Sequence, residues 1–422
     1  MALKYVACDP ATFMSRVVGL PNDGNDYIIR LDSGFYDFGF TFLQLLHTTG
    51  SIHFESRDGA TFTNLVSNQG WSFRVACPDT TWVGAKFIGE EYYQPHLPRQ
   101  CTLGLGSLND GGVYVCDPTN ISFTDFDVQG SALRIILAGS KDGLAYTNIE
   151  CRRGNMKDNS GNGQILITTD VAVVGDLGNG IYGNIEISEI IADSTNGPDG
   201  LFWGGVGAST HSDGPTALDI TRLGFNTTCL VENCHLTARI KGSFNHDMHC
   251  WRVGQIQSNQ VVMTIRDVKS YGYWSEGHAT HDGGGNLWLA YHHSGSPGWA
   301  IEGSRMTMDI ENCLFRSEVS ADVAQVPGED PFGDPPFHLF NVNSSGDYHF
   351  YDCVFEWVLP AAWQNAYIRD VSTATTDASV WYHNTTRSGV ANDTPEGTNV
   401  VVRTNTRTRG WKSLQRRPSY RI

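Results

Sequence analysis

The chain lacks an apolar run long enough to cross a bilayer as a helix, which excludes a single-helix anchor within these residues. It has few charged residues, 18%, and a formal net charge of −16, so its body is a poor match for nucleic acid. It has no Walker loop, and Gly204-Gly205-Val206-Gly207 lacks the strand-to-helix setting of a dinucleotide fingerprint. The ten cysteines show no close-paired or metal-type spacing, and His246-Asp247-Met248-His249 is not a zinc motif. No metal site is therefore expected. Met1 to Cys8 lacks the charged-then-apolar order of a secretory signal. The expectation is a protein that stays inside, leaves by lysis or within a particle, or has already lost its signal.

What is present is glycine, 46 residues, and aromatics at 11%, which suits a turn-rich all-β chain. One phrase recurs: a hydrophobic residue, any residue, Asn or Asp (once Glu), then a hydrophobic residue. It starts at 123, 146, 187, 231, 265, 310 and 350, as in Ile265-Arg266-Asp267-Val268 and Ile310-Glu311-Asn312-Cys313. Hydrophobic alternation runs up to the phrase (Met263, Ile265) and shifts by one residue after it (Val268). A straight strand keeps period two and cannot do this. A strand that turns a corner at Asn or Asp can, because those residues tolerate left-handed backbone. One corner per turn of chain, with neighbours stacked, specifies a parallel β-helix. Cys234, Cys313 and Cys353 share the slot after the corner and read as stacked buried thiols.

Asp9-Pro10 can start a short helix with Phe13, Met14, Val17 and Val18 on one face, covering the open end of the stack. Next comes Asp23-Gly24-Asn25-Asp26, a strand, then Gly34-Phe35-Tyr36. With the corner repeat, this resembles the opening of the pectate-lyase-like β-helix superfamily over most of residues 20–385. The resemblance implies an all-β, single-stranded, right-handed parallel β-helix of three-strand coils. The cap spans 1–20, the β-helix 21–404 and an extended arm 405–422. In each coil a third strand precedes the two flanking the corner. Candidates are Leu133–Leu137, Ile165–Thr169, Leu201–Gly205, Met248–Val253, Leu287–Tyr291 and Phe337–Val342.

If Leu287, Leu289, Met248, Cys250, Phe337 and Leu339 point inward, then Trp288, His292, His249, Trp251, His338 and Phe340 point outward, joined by Trp203. Such a ladder offers rings and polar edges to a sugar chain. The alternative is that long loops cover this face. Acids precede the same strands: Asp199, Asp247, Asp282 and Asp334. Asp247, Asp282 and Glu276 are the candidates for a hydrolytic carboxylate pair, with His246, His249, His278 and His281 as orienters. Turn chemistry or a bound Ca²⁺ are the other readings of these acids, and no other cofactor is implied. Lys241 and Lys269 are the only lysines from 230 to 300, which argues for hydrolysis over elimination.

Residues 403–422 carry Arg403, Arg407, Arg409, Lys412, Arg416, Arg417 and Arg421 without an acid, leaving −23 on the rest. The arm is expected to bind an acidic surface of another copy or of another virion protein. Three functions stay open. The first is a tailspike-like phage virion protein, a homo-oligomer such as a trimer, that binds and degrades or only binds host-surface polysaccharide. The second is a non-enzymatic structural or decorating virion subunit held by its arm. The third is a stand-alone, extracellular polysaccharide lyase or glycoside hydrolase. Tailspikes carry an N-terminal virion anchor, and the first coil here leaves no room for one before residue 23.

Overall fold

A computed structural model describes residues 1–405 apart from 40–42, 57–58, 64–72, 89–100, 107–108, 111–112, 115, 130–132, 140–145, 160–164, 170–180, 196–216, 222, 225, 242–248, 255–260, 280–283, 292–304, 321–322, 326–336, 343–344, 359–367, 373–377 and 389–399. Residues 406–422 also lie outside the description. The protein is almost all β, 74% strand against 3% helix, which rules out an alternating α/β plan. Its strands build long parallel sheets, as expected of a parallel β-helix.

Each repeat contributes one strand to a ten-stranded sheet and then one or two strands to a 21-stranded sheet. The ten-stranded sheet runs in chain order through Leu43–Leu46, Phe73–Ala76, Cys101–Gly106, Leu133–Gly139, Ile165–Thr169, Leu218–Thr221, His249–Gly254, Gly284–Tyr291, Phe337–Val342 and Ile368–Ser372. Five of the six strands expected at this place in the repeat are present within a few residues. The exception is Leu201–Gly205: the strand of that repeat is Leu218–Thr221, and 201–216 lie outside the described residues.

The corners are where the sequence places them. Asn233, Asp267, Asn312 and Asp352 all have left-handed backbone, with φ of 52°, 54°, 52° and 53°. They stack one repeat apart: the backbone N–H of Asp267 donates to Glu311 O and that of Asn312 to Tyr351 O, at 3.1 and 2.9 Å. Side chains extend the stack, with Asn312 Nδ2 donating to Asp267 Oδ1 at 2.6 Å and Asn384 Nδ2 to Asp352 Oδ1 at 2.5 Å. An amide donor over a carboxylate acceptor is the arrangement that alternating Asn and Asp allows. Asp125 and Glu189 are corners too. Between them the corner is not Asn148 of the repeated phrase but Arg153 (φ 51°), whose guanidinium binds Asp125 at 2.5 and 2.7 Å. Arginine is a poor left-handed residue, and this charge-assisted fork holds it there.

The cysteine slot does more than fill space. Cys234, Cys313 and Cys353 are at most 3% exposed, and each thiol donates to the carbonyl two residues earlier at 3.2–3.3 Å. Thr385 does the same with its hydroxyl at 3.2 Å. The slot therefore takes a small side chain with a donor for the carbonyl that the corner strands. This also explains Asn384-Thr385-Thr386, which mimics a glycosylation pattern: Asn384 is a corner and Thr385 the donor. Burial pushes the Cys234 thiol up to about 12 and raises Cys313 further, so both stay protonated.

At the N-terminus, Leu3–Cys8 pairs in register with Asp26–Leu31, so the long sheet begins before residue 21. The helix is Phe13–Val18, starting later than the expected start at Asp9-Pro10. Asp9 accepts the Thr12 N–H at 2.8 Å and forms a turn first, delaying the helix. Phe13 and Val17 are buried, and Phe13 meets the edges of Tyr36 and Phe62 at 5.4 and 5.5 Å.

Candidate functional site

In each repeat the strand after the corner alternates in the shifted phase. Leu236, Ala238, Ser270, Gly272, Phe315 and Ser317 face the core and are buried. Their neighbours form cross-strand rows on the other face: Asp193, Thr237, Tyr271, Arg316 and Glu356 in one, Arg239, Tyr273 and Glu318 in the next. His235 lies at the start of this face. Together His235, Thr237, Arg239, Tyr271, Tyr273, Arg316 and Glu318 line an open trough of about 420 Å³ across three repeats.

Ion pairs hold the trough in shape. Arg239 binds Asp193 at 3.1 Å, and Arg316 is shared by Glu318 at 3.0 Å and Glu356 at 3.3 Å. All are partly exposed, so each contributes about 0–1 kcal/mol and its main effect is to fix direction. The Glu318 carboxylate raises the pKa of Arg316 further. The His235 ring lies 5.1 Å from that of Tyr271. Partial burial, then the charge of Lys269, lowers its pKa below 6.5, so it is neutral at pH 7. Two phenols, a neutral imidazole and two guanidiniums supply ring faces beside directed donors, as a hydrated polar ligand requires.

A second array occupies the strands before the corner in the last repeats. His349 and Tyr351 lie beside Trp381 and His383, with all measured ring planes within 14° of parallel. Tyr351 and His383 are closest, at 4.4 Å between centroids. All four are half-buried, on the face opposite the core residues Tyr348, Phe350, Val380 and Tyr382.

The backbone register assigns the residues expected on the outward face of the third strands to more than one row. Trp251 is register partner of Leu287 and Leu218, in the row of Leu43, Phe73, Leu103, Ile135 and Ile165, all buried. His249 pairs with Gly285, which pairs with His338, and both histidines stand two residues before members of that same row. Trp288 is partner of Arg252 and Asn341, in the row of Arg74 and Asp219, which are 5% and 2% exposed. Trp251 and Trp288 thus occupy different rows of the register. Of the polar members of the Trp288 row that are described, Arg74 and Asp219 are covered and Gln44 is half-buried. The side chains of His249, Trp251, Trp288 and His338 lie outside the described residues, as do Trp203, His292, Asp247 and Asp282 entirely. Glu276 has its Cα opposite Lys241 at a register shift, its side chain also undescribed. Arg403 belongs to the final strand, Val400–Asn405, while Arg407, Arg409, Arg416 and Arg417 fall in the undescribed 406–422.

Sequence reasoning missed both arrays, yet the signal was available. Counting four residues past each corner gives Thr237, Tyr271 and Arg316 as one row. Alternation before the corner gives His349 with Trp381 in the same way. No protein-family model and no curated protein matches this chain.

Proposed function

We propose that the chain is a right-handed parallel β-helix with its Phe13–Val18 end capped, serving as a tailspike-like virion protein that binds host-surface polysaccharide. The observation that carries this reading is the trough of Tyr271, Tyr273, Arg239, Arg316 and His235. It crosses three repeats of a rigid sheet and presents aromatic and charged polar groups together. A polysaccharide is long and extended, and a surface built by repetition offers it successive contacts at fixed spacing. The trough is read as a binding surface rather than a hydrolytic one. Among its lining residues the single carboxylate, Glu318, is engaged by Arg316 at 3.0 Å, whereas glycoside hydrolysis uses a pair about 5–9.5 Å apart. In this reading the basic arm, with Arg407, Arg409, Arg416 and Arg417, attaches the subunit to a neighbouring copy or another virion protein.

The test is a glycan array probed with the full chain, followed by titration of any hit. Tyr273→Ala should weaken binding by about 1–2 kcal/mol, the scale of a lost aromatic contact, with an unchanged melting temperature. Full affinity in a Tyr271→Ala, Tyr273→Ala double variant would remove the trough from the account.

A further inference from the structure

Arg239 lies on His235–Lys241, the first of the three strands that build the trough, with part of its guanidinium already engaged. Its Nε donates to both carboxylate oxygens of Asp193, at 3.1 and 3.3 Å, which sets the plane of the group. Among the described residues nothing is bonded to the terminal Nη atoms, and the side chain is 45% exposed. Two parallel N–H donors on those atoms match the two oxygens of a carboxylate. We propose that the Arg239 side of the trough is a carboxylate subsite and that the polysaccharide is an acidic one, with uronate or sialate units, a proposal that rests on the trough being a polysaccharide surface.

Position and charge both favour an anion here. Tyr273 is the register partner of Arg239, about 4.8 Å away across the sheet, so a sugar ring lying on the phenol brings a ring substituent beside the guanidinium. The acids around the trough are already matched: Asp193 by Arg239, and Glu318 and Glu356 by Arg316. Lys269 is exposed, is the register partner of His235, and has no ion pair among the described residues. Its ammonium therefore leaves this side of the trough positive, on a chain whose net charge is −16. An acidic polysaccharide is repelled by most of such a surface and attracted where a cation stands unmatched, which makes the subsite selective. The His235 ring senses that field: after burial, Lys269 is the strongest influence holding its pKa below 6.5, with Asp193 opposing and Arg239 adding to it. The groups facing this ring are thus Lys269 and Tyr271 on the following strand, Asp193 on the preceding one and Arg239 on its own. A carboxylate of pKa about 3–4 stays ionised at pH 5.5, where His235 gains charge, so mild acid strengthens the attraction.

The experiment is calorimetric titration of the full chain with alginate, hyaluronan, polysialate and the strongest glycan-array hit, each acidic polymer beside its carboxyl-reduced form and with dextran as neutral reference. At pH 7.5 at least one acidic polymer should bind about tenfold or more tightly than its reduced form, the scale of a hydrogen-bonded charge. At pH 5.5 that preference should grow by about threefold, the scale of an exposed ion pair. Arg239→Gln should bring the two forms to within about twofold of each other. Lys269→Gln should reduce the preference, and His235→Gln should remove its growth at low pH. None of the three side chains is buried, so circular dichroism and melting temperature should be unchanged in each variant. Equal binding of acidic and reduced forms, both weakened by Tyr273→Ala, would overturn the carboxylate subsite and leave the trough as a polysaccharide surface. A preference for the acidic form that survives Arg239→Gln would overturn the subsite equally. Binding of none of the polymers would overturn both readings of the trough.

Discussion

The N-terminal repeats and the later ones solve the same packing problem with different residues. Up to about residue 126 the core is aromatic: Trp82 stacks on Phe54 at 4.3 Å and meets Phe73 edge-on at 4.8 Å, while Phe62 stacks on Phe87 at 5.2 Å. The corner row there includes Gly84, with φ of 66°. From Asn233 to Cys313 the described core is mainly Ile, Val, Met and Cys, with aromatic rings returning at Phe315, Phe350, Phe355 and Tyr382, and the corners are Asn or Asp. A glycine corner bends without strain but offers no side chain to the next corner. An Asn or Asp corner costs some backbone strain and recovers it through the amide–carboxylate ladder. The N-terminal region thus concentrates its stability in a few large rings, whereas the repeats from Asn233 to Cys313 spread it over many equivalent contacts.

The largest expected effect breaks the aromatic half. Trp82→Ala should cost about 3–5 kcal/mol in denaturant melts, whereas Ile265→Val in the later core should cost about 0.5–1.5 kcal/mol. Equal losses would mean the two cores are not different in kind. Next comes the ladder itself. Asn312→Val should cost about 1–3 kcal/mol, because a β-branched residue is strained at φ of 52°. Asn312→Gly should cost less, since it loses the 2.6 Å bond to Asp267 but keeps the corner. A Val variant as stable as the Gly variant would show that the corner is not left-handed.

Acid should separate the halves by a smaller margin. His47 is 2% exposed, and burial lowers its pKa below the usual 6.5. Its neutral form is the folded one, so this contribution is complete above pH 6.5 and is lost as pH falls toward the folded value. Amide exchange should therefore quicken in residues 26–63 before 305–358 as pH drops below 6.5, and His47→Leu should flatten that dependence. The smallest effect concerns the donor slot. Cys313→Thr should change stability by less than about 1 kcal/mol, because a hydroxyl replaces the thiol donor as Thr385 already does. Cys313→Val should be worse, since the Glu311 carbonyl loses its side-chain donor.

The corners were legible because left-handed backbone admits few residue types and the phase of alternation changes there. Arg153 escaped because an ion pair, not its own propensity, holds it in that conformation. The third strands were legible in position, whereas parity left their phase open, because Cys250 and Val253 stand at opposite parity and are both buried. The trough and the His349 array depend on which residues become neighbours across repeats of unequal length. That register is set by the corners, and it can be counted from them only once every corner, Arg153 included, is known.

Register is thus the claim on which the rest depends, and cysteine cross-linking tests it most directly. Glu232 and Arg266 are register partners, linked by an ion pair, and parallel neighbours stand about 4.8 Å apart, within disulfide reach. Glu232→Cys with Arg266→Cys should form an intramolecular disulfide on mild oxidation in the folded chain. Glu232→Cys with Thr264→Cys, one row away at about 8 Å, should not. Cross-linking of the second pair in preference to the first would contradict the stacked register, and with it the proposed trough.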